Sequence, residues 1–506
     1  MESGSVEFSE IQHFYSNTTV FLTGATGFIG KLLLEKLLRQ CHVKHVYILV
    51  RYKDGVKAEI RCAEIFDAVI FDSLRRKDPE FFKRVSLIEG DCEKPNLGIS
   101  EDDKVLLIKE VNCIFHCTSD NKFDSGLKEA TDVNVRSTRD LVDLAKEVEN
   151  LKSFVYLSTI FSNFPKFEIH EEIHEPNITT EQLINVVDGL DNKSLSLLQP
   201  ELLKDWPTAS TYTKHVAEGL LKEEGHEIPI SIVRASHVIA VAEEPVAGYV
   251  ENLCSLSGLA VANALGVNRV NYYKNGTLDV IPGDYVVSLL VASGWYAGLQ
   301  KIRKKRGDIG TTDTLVYHCI SSQEKPITSD EWMGVTETSC REVPSTKMIR
   351  LPLTFNTACY YNYRLLTFLL NTCMGFLCDT CLQLLGKYSN IVDGFKKFHK
   401  LQELASPFLM RQWYVSNDNT QKLLKRMSFK DRELFNFDVL TINWELYFPN
   451  FARGLRVYVM KDPMSTLGEG RSKLRMKLYA MLLTTAVLVV VLYVISRFII
   501  FKVLFR

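Results

Sequence analysis

Almost no net charge runs through this chain. Sixty Lys and Arg against 61 Asp and Glu leave −1 at neutral pH over 506 residues. That balance excludes the basic field on which nucleic-acid binding depends. Metal-binding clusters are missing too. The twelve cysteines are scattered, and their closest group, Cys373, Cys378 and Cys381, lies in an apolar run without a histidine, so no metal site is expected. The sequence shows no internal repeats and no low-complexity tracts. Its opening, MESGSVEFSE, is polar and acidic, unlike a secretory or mitochondrial leader. With scattered cysteines, that points to a reducing compartment.

Long uncharged runs are few. The clearest is residues 478–496, LYAMLLTTAVLVVVLYVIS, with Arg471, Lys473, Arg475 and Lys477 before it and Arg497, Lys502 and Arg506 after it. A helix of that length spans roughly 28 Å, close to a bilayer core of about 30 Å. A membrane anchor is expected, with the body of the chain on the cytosolic side by the charge of the flanks. A second apolar stretch, residues 365–385, is broken by Asn371, Cys373 and Asp379. Those breaks argue against a span and for a helix in the interface or along an acyl channel.

Two domains plus extras are expected from the length. The first half carries a nucleotide-binding pattern. TTVFLTGATGFIGKLLLEKLL reads as strand, glycine turn, helix. Thr23, Gly24, Thr26, Gly27, Phe28, Ile29 and Gly30 form the turn, where glycines let backbone approach a pyrophosphate at a helix N-terminus. A second strand, residues 45–50, ends in Arg51-Tyr52-Lys53 and not in an acidic residue. Two cations there suit the 2′-phosphate of NADPH, whereas an acid would suit NAD. A third strand runs to Asp91 beside Cys92, with Asp91 placed to reach the adenine. A fourth ends at Cys117, next to the cofactor path. A helix over about 125–149 and a fifth strand ending at Ser158-Thr159 follow. Strands alternating with helices predict an α/β doubly wound parallel sheet of Rossmann type.

Taken together, these segments resemble the fatty acyl-CoA reductases, within the extended short-chain dehydrogenase/reductases, and in particular the insect, membrane-anchored type. TGATGFIGKLLLEKLL, LVRYKDG, GDCEKPNLGIS, VNVRSTRDLVDLAK, LKSFVYLST, LDVIPGDYVV and SFKDRELFNFDVLTINWELYF carry the resemblance in order, from about Ile11 to Lys461 plus the anchor. It implies NADPH as cofactor, a long-chain fatty acyl-CoA as substrate and a primary fatty alcohol as product, through two hydride transfers and release of CoA. It further implies a Rossmann domain over 18–325 after a lead-in at 1–17, and a mostly helical C-terminal domain over 335–461. A flexible linker at 462–477, the transmembrane helix at 478–496 and a basic tail at 497–506 complete the expected organisation. Endoplasmic reticulum is favoured over peroxisome, because the terminal Leu-Phe-Arg is not a peroxisomal signal.

The resemblance also assigns roles. A Ser/Thr at the end of the fifth strand and a Tyr four residues before a Lys hold the reacting carbonyl oxygen in this family. By position these are Thr159 at the end of LKSFVYLST, and Ser210 and Lys214 within WPTASTYTKHVAE; the lysine is further implied to hold the nicotinamide ribose of the cofactor and to lower the pKa of the family's tyrosine. Ser210 therefore stands where the family has tyrosine. Tyr212 is about 200° from Lys214 around a helix and is expected to pack in the core. Cys117-Thr118-Ser119-Asp120 replaces the family's small residues, and Ala235 replaces a proline. Two functions stay open: a reductase in which Ser210 relays a proton through water, or a catalytically silent member that binds NADPH and acyl-CoA, as a homo- or hetero-oligomer. A sugar-nucleotide epimerase or dehydratase on the same fold fits the lipid features less well. In the second half, Trp413, Phe429, Phe435, Phe437, Trp444 and Phe448 are expected in the core.

Overall fold

The computed structural model describes residues 8–120, 122–251, 255–308, 314–386 and 390–504. Seven parallel strands form the central sheet: β1 Thr19–Thr23, β2 His45–Val50, β3 Val85–Glu89, β4 Cys113–His116, β5 Ser153–Thr159, β6 Ile230–Ala235 and β7 Leu315–Cys319. Their order is β3-β2-β1-β4-β5-β6-β7. The direction of winding reverses between β1 and β4, and that reversal opens a crevice at the carboxyl ends of the strands. All five residues of β1 and all six of β6 are buried, as a sheet covered on both faces requires. Strand β7 has no counterpart in the sequence reading. Its five residues follow the long helix Gly283–Arg306, which covers one face of β5 and β6.

The C-terminal half is mostly helical, and contacts cross the expected divisions at 17 and at 325–335. Ser9 Oγ and the Ile11 amide donate to Asp431, so the N-terminal helix Glu10–Tyr15 is capped from the far end of the chain. Tyr414–Val415 pairs with Glu168–Ile169, and Phe355–Thr357 pairs with Val270–Tyr272. Thr420 exchanges hydrogen bonds with the His318 backbone on β7.

Three expectations are corrected here. The stretch 462–477 is not a flexible linker. Asp462 accepts from Ser345 Oγ at 2.7 Å and from the Thr346 amide, and one helix runs unbroken over Leu467–Leu504. Charged side chains on a helix surface do not interrupt backbone hydrogen bonding, so the basic stretch and the apolar run form one helix. Phe429 is exposed, because it opens a short helix capped by Ser428 whose inner side is taken by Asp431. Phe435, Phe437 and Phe448 are buried, with Trp413 and Trp444 partly so. Third, the apolar side chains of 365–385 point away from the body and line no channel among the described residues. The helices Tyr360–Leu384 and Met464–Val494 are the two described segments long and apolar enough to cross a membrane. Within the expected lead-in and basic tail, residues 1–7 and 505–506, with Arg506, lie outside the described residues.

Candidate active site

The glycine turn is built for close approach. Gly24 has φ +79°, and a Cβ there would sit 2.7 Å from the Cys117 carbonyl carbon. A Cβ on Gly30 would sit 2.0 Å from the Gly24 oxygen. Gly27 is the N-cap of the helix Phe28–Arg39 and has no side chain to close off the free amides. This is a cradle for an anion at a helix N-terminus.

Two adjoining cavities meet at that turn. The first, about 350 Å³, is lined by Thr26, Arg51, Lys53, Arg61, Asp91 and Cys92, with Cys117 and the glycines at its inner end. Arg51 contacts Asp91 at 3.4 Å and also pairs with Glu93. Arg61 was not singled out by sequence reasoning. Its guanidinium donates to the Arg51 carbonyl at 2.6 Å and reaches Thr26 Oγ1 at 3.4 Å, which places a third cation beside Arg51 and Lys53. A cation one helix beyond the second strand, in AEIRCAEIF, was the available signal.

The second cavity, about 270 Å³, shares Gly24, Gly27 and Cys117 with the first. Phe28, Ile29 and Gly30 form one wall; Thr159, Ser210 and Lys214 form the other. Thr23 lies just behind it, its hydroxyl 2.7 Å from His116 Nδ1. Burial pushes the Cys117 and Cys92 thiols up to about 12, so neither is poised as a thiolate.

Local chemistry explains how the opposite wall is set. Thr159 ends β5, and its hydroxyl accepts from the Phe161 amide, starting a short 3-10 turn. Thr208 caps the helix Ala209–Glu224 by accepting from the Thr211 amide. Ser210 thus falls in the first turn, and Lys214 follows one turn later on the same face. The Ser210 hydroxyl donates to the Asp120 backbone carbonyl. Asn134 holds both sides in register. It accepts from the Asp120 amide at 3.0 Å and donates to Thr213 Oγ1 at 2.9 Å. It sits in a π turn, Asp132–Arg136, inside the helix expected over 125–149, which runs from Leu127 to Glu147.

Lys214 is buried. Its Nζ donates to the Leu157 carbonyl at 2.8 Å and lies 4.3 Å from the centre of the Tyr156 ring. Burial pushes its ammonium down to about 7, against the pull of Glu218 and Cys117. Tyr212 is turned away, edge-on to Trp206 in the core behind the helix. Ala235 lines the cavity beside Ser236 and His237. Burial lowers His237 to about 4, so it is a neutral ring here.

Two further features escaped the sequence reading. Glu218, one turn beyond Lys214, is fully buried with Arg234 of β6 at 2.6 Å. Ser158, Ser162 and Arg234 all point to its carboxylate, and Arg234 continues to His318 of β7. This network fastens the helix to three strands. The second is Phe408, a wall of the cavity supplied by the C-terminal half, to which no role had been assigned. Phe161 and Phe164 pack against it edge-on, and Trp413 packs on those two rings in turn.

Fold and site define a class: a nicotinamide-dependent reductase on a Rossmann sheet. Two solved structures share the fold. They are the terminal reductase domain of the myxalamid pathway (TM-score 0.55, 20% identity, 88% of this chain and 93% of that one) and the reductase domain of a nonribosomal peptide synthetase from Mycobacterium tuberculosis (0.56, 17%, 89% and 96%). The NAD-binding model of the male sterility proteins matches residues 22–290, and their C-terminal model matches 370–462. Fatty acyl-CoA reductase 1 of Xenopus laevis is 32% identical over 466 residues, 92% of this chain and 89% of that protein. Fatty acyl-CoA reductase wat of Drosophila melanogaster is 32% identical, covering 91% and 88%. The chain belongs to the fatty acyl-CoA reductase family.

Proposed function

We propose that this protein reduces long-chain fatty acyl-CoA to the primary alcohol with NADPH, releasing CoA. The observation that supports it best is the second cavity. One space is shared by the glycine turn, Thr159, Ser210, Lys214 and the aromatic wall at Phe408. The glycine cradle and the adjoining cavity fit a dinucleotide. Arg51, Arg61 and Lys53 at the far end suit the 2′-phosphate of NADPH, because guanidinium groups match phosphate oxygens. When bound, NADPH supplies hydride.

The residues of the chain do the rest. Negative charge develops on the carbonyl oxygen at each reduction, and the Thr159 hydroxyl is placed to hold it. Ser210 is a weak acid and a short side chain. Lys214, held near 7, is the stronger proton source and shares a face with Ser210. A proton moves from the Lys214 ammonium through Ser210 or a water to the oxygen.

The test is alcohol production from palmitoyl-CoA and NADPH by membranes carrying the chain. Thr159→Ala should lower the rate by about 10²–10³. A specific contact favours a second reading. The Ser210 hydrogen is committed to the Asp120 carbonyl, which suits a member that binds NADPH and acyl-CoA without turnover, as a partner in an oligomer. NADPH binding with no alcohol from any acyl-CoA would select that reading.

The apolar helix at 478–496 serves as a single-pass anchor, with the body in the cytosol, at the endoplasmic reticulum. Its basic N-terminal flank supports that orientation. Protease added outside sealed microsomes should then digest residues 8–470.

A further inference from the structure

We infer that the paired helices Tyr360–Leu384 and Ile391–Ala405 form a hairpin embedded in one leaflet of the bilayer, a second membrane contact that does not span. The argument stands on the inverted pattern of its first helix. Tyr363, Thr367, Asn371 and Gly375, spaced by four, face the body and are buried. Three of the four carry a polar group. Tyr363 and Asn371 both hydrogen-bond the His399 ring of the second helix, Ile391–Ala405, at 3.1 and 2.8 Å. Asp379 accepts from the Ile391 and Val392 amides. The outward face is mostly apolar, interrupted by Arg364, which pairs with Glu403 of the second helix at 2.9 Å, and by exposed Asn362, Thr380 and Gln383. Tyr361 is 82% exposed, Leu377 58% and Leu384 83%, with Leu365, Phe368, Leu369 and Phe376 beside them. A helix in water buries its apolar stripe and wets its polar one. The reverse arrangement, over this much contiguous surface, belongs against hydrocarbon.

Position relative to the anchor makes the same point. Lys477, the last cation before the run at 478–496, donates to the Ile349 carbonyl, and Lys473 donates to the Thr346 carbonyl. The next residue along, Arg350, donates to the Leu370 carbonyl at 3.0 Å and to Asn371 Oδ1 at 2.9 Å. The base of the anchor and the middle of the inverted helix are thus tied to neighbouring residues of one segment. Both meet the bilayer at one level. On the second helix, Lys396, Lys397 and Lys400 are exposed, at the height where anionic headgroups lie. Both ends of the hairpin return to the body: Phe355–Thr357, just before the first helix, pairs with Val270–Tyr272, and Gln402 Nε2 of the second helix donates to the Val270 carbonyl, with Phe408 lining the second cavity three residues beyond. A span would carry the second helix to the opposite side and break these contacts.

Photoactivatable phospholipids test this on the full chain in nanodiscs of phosphatidylcholine and phosphatidylserine. A diazirine near the headgroup should label peptides from both 360–385 and 478–496. A diazirine near the acyl terminus should label 478–496 alone. Equal labelling of 360–385 by the deep probe means a span and overturns the inference. So does absence of labelling by either probe, including the case where a second copy covers the hairpin. Changing Lys396→Glu, Lys397→Glu and Lys400→Glu together should cut shallow labelling of 360–385 in the anionic lipid by about fivefold for each lysine in contact. It should leave labelling in pure phosphatidylcholine unchanged. Equal loss in both lipids would remove the headgroup contact from the proposal.

Discussion

Replacing Ser210 by Tyr probes the proposed chemistry at its weakest point. The side chain occupies the first turn of the helix Ala209–Glu224 and opens into a cavity of about 270 Å³. A phenol therefore enters free space. The substitution removes one hydrogen bond, from Ser210 to the Asp120 carbonyl, worth about 1 kcal/mol. It adds an oriented donor with pKa near 10, one helical turn from Lys214. A donor aimed at a developing oxyanion is worth roughly 2.7–4 kcal/mol, or about 10²–10³ in kcat. The gain outweighs the loss. The assay is alcohol formation from palmitoyl-CoA and NADPH with membrane-bound wild type and S210Y. We expect kcat to rise by about 10²–10³ with KM little changed. Adding Thr159→Ala should remove most of the gain, because both hydroxyls act on the same oxygen. A folded S210Y that binds NADPH and turns over no faster than wild type would refute the reasoning.

Three other outcomes follow from the geometry. Gly30→Ala should abolish measurable NADPH binding by fluorescence titration, since its Cβ would meet the Gly24 oxygen at 2.0 Å and that atom is backbone. Arg61→Ala should weaken NADPH about tenfold or more while NADH changes less than twofold, as expected for loss of a charge-assisted phosphate contact; equal loss for both cofactors would place Arg61 elsewhere. Lys214 makes stability depend on pH. Its folded value, about 7, lies below the unfolded value near 10.5, so the unfolded chain binds more protons between those limits and wild-type stability should rise with pH from 7 toward 10.5. Lys214→Met should be the more stable protein at pH 7 by roughly 3–5 kcal/mol before packing losses, at about 1.4 kcal/mol per pH unit, and the difference should fade by pH 10.5. Urea melts at pH 6, 8 and 10 read this directly; a constant difference from pH 6 to 10 would mean that Lys214 stays protonated in the fold as it does in the unfolded chain.

Much of the site is written in local pattern. Gly24, Gly27 and Gly30 announce the cradle because a turn between strand and helix needs residues without side chains, and that need shows in the sequence alone. The phase of Ser210, Tyr212 and Lys214 on one helix follows from 3.6 residues per turn, and the structure places the three on the two sides that the spacing gives. The uncharged run at 478–496 is legible for the same reason: its length and composition are one-dimensional properties.

Other features exist only once distant segments meet. Strand β7 depends on β6 for its pairing, and five residues of LVYHC carry too weak a pattern to announce it. Glu218 and Arg234 lie sixteen residues apart, and only the sheet brings one charge against the other out of water. Phe408 reaches the cavity because a C-terminal helix folds back on the Rossmann half. The inward turn of Asn371 and Asp379 could be read from sequence only as breaks in an apolar run; the fold shows them as the attachment side of a helix whose apolar face looks outward. Sequence determined which residues could hold a dinucleotide, because close backbone approach and helical phase are local. Tertiary structure decided what each side chain faces, because burial and charge pairing are set by neighbours hundreds of residues away.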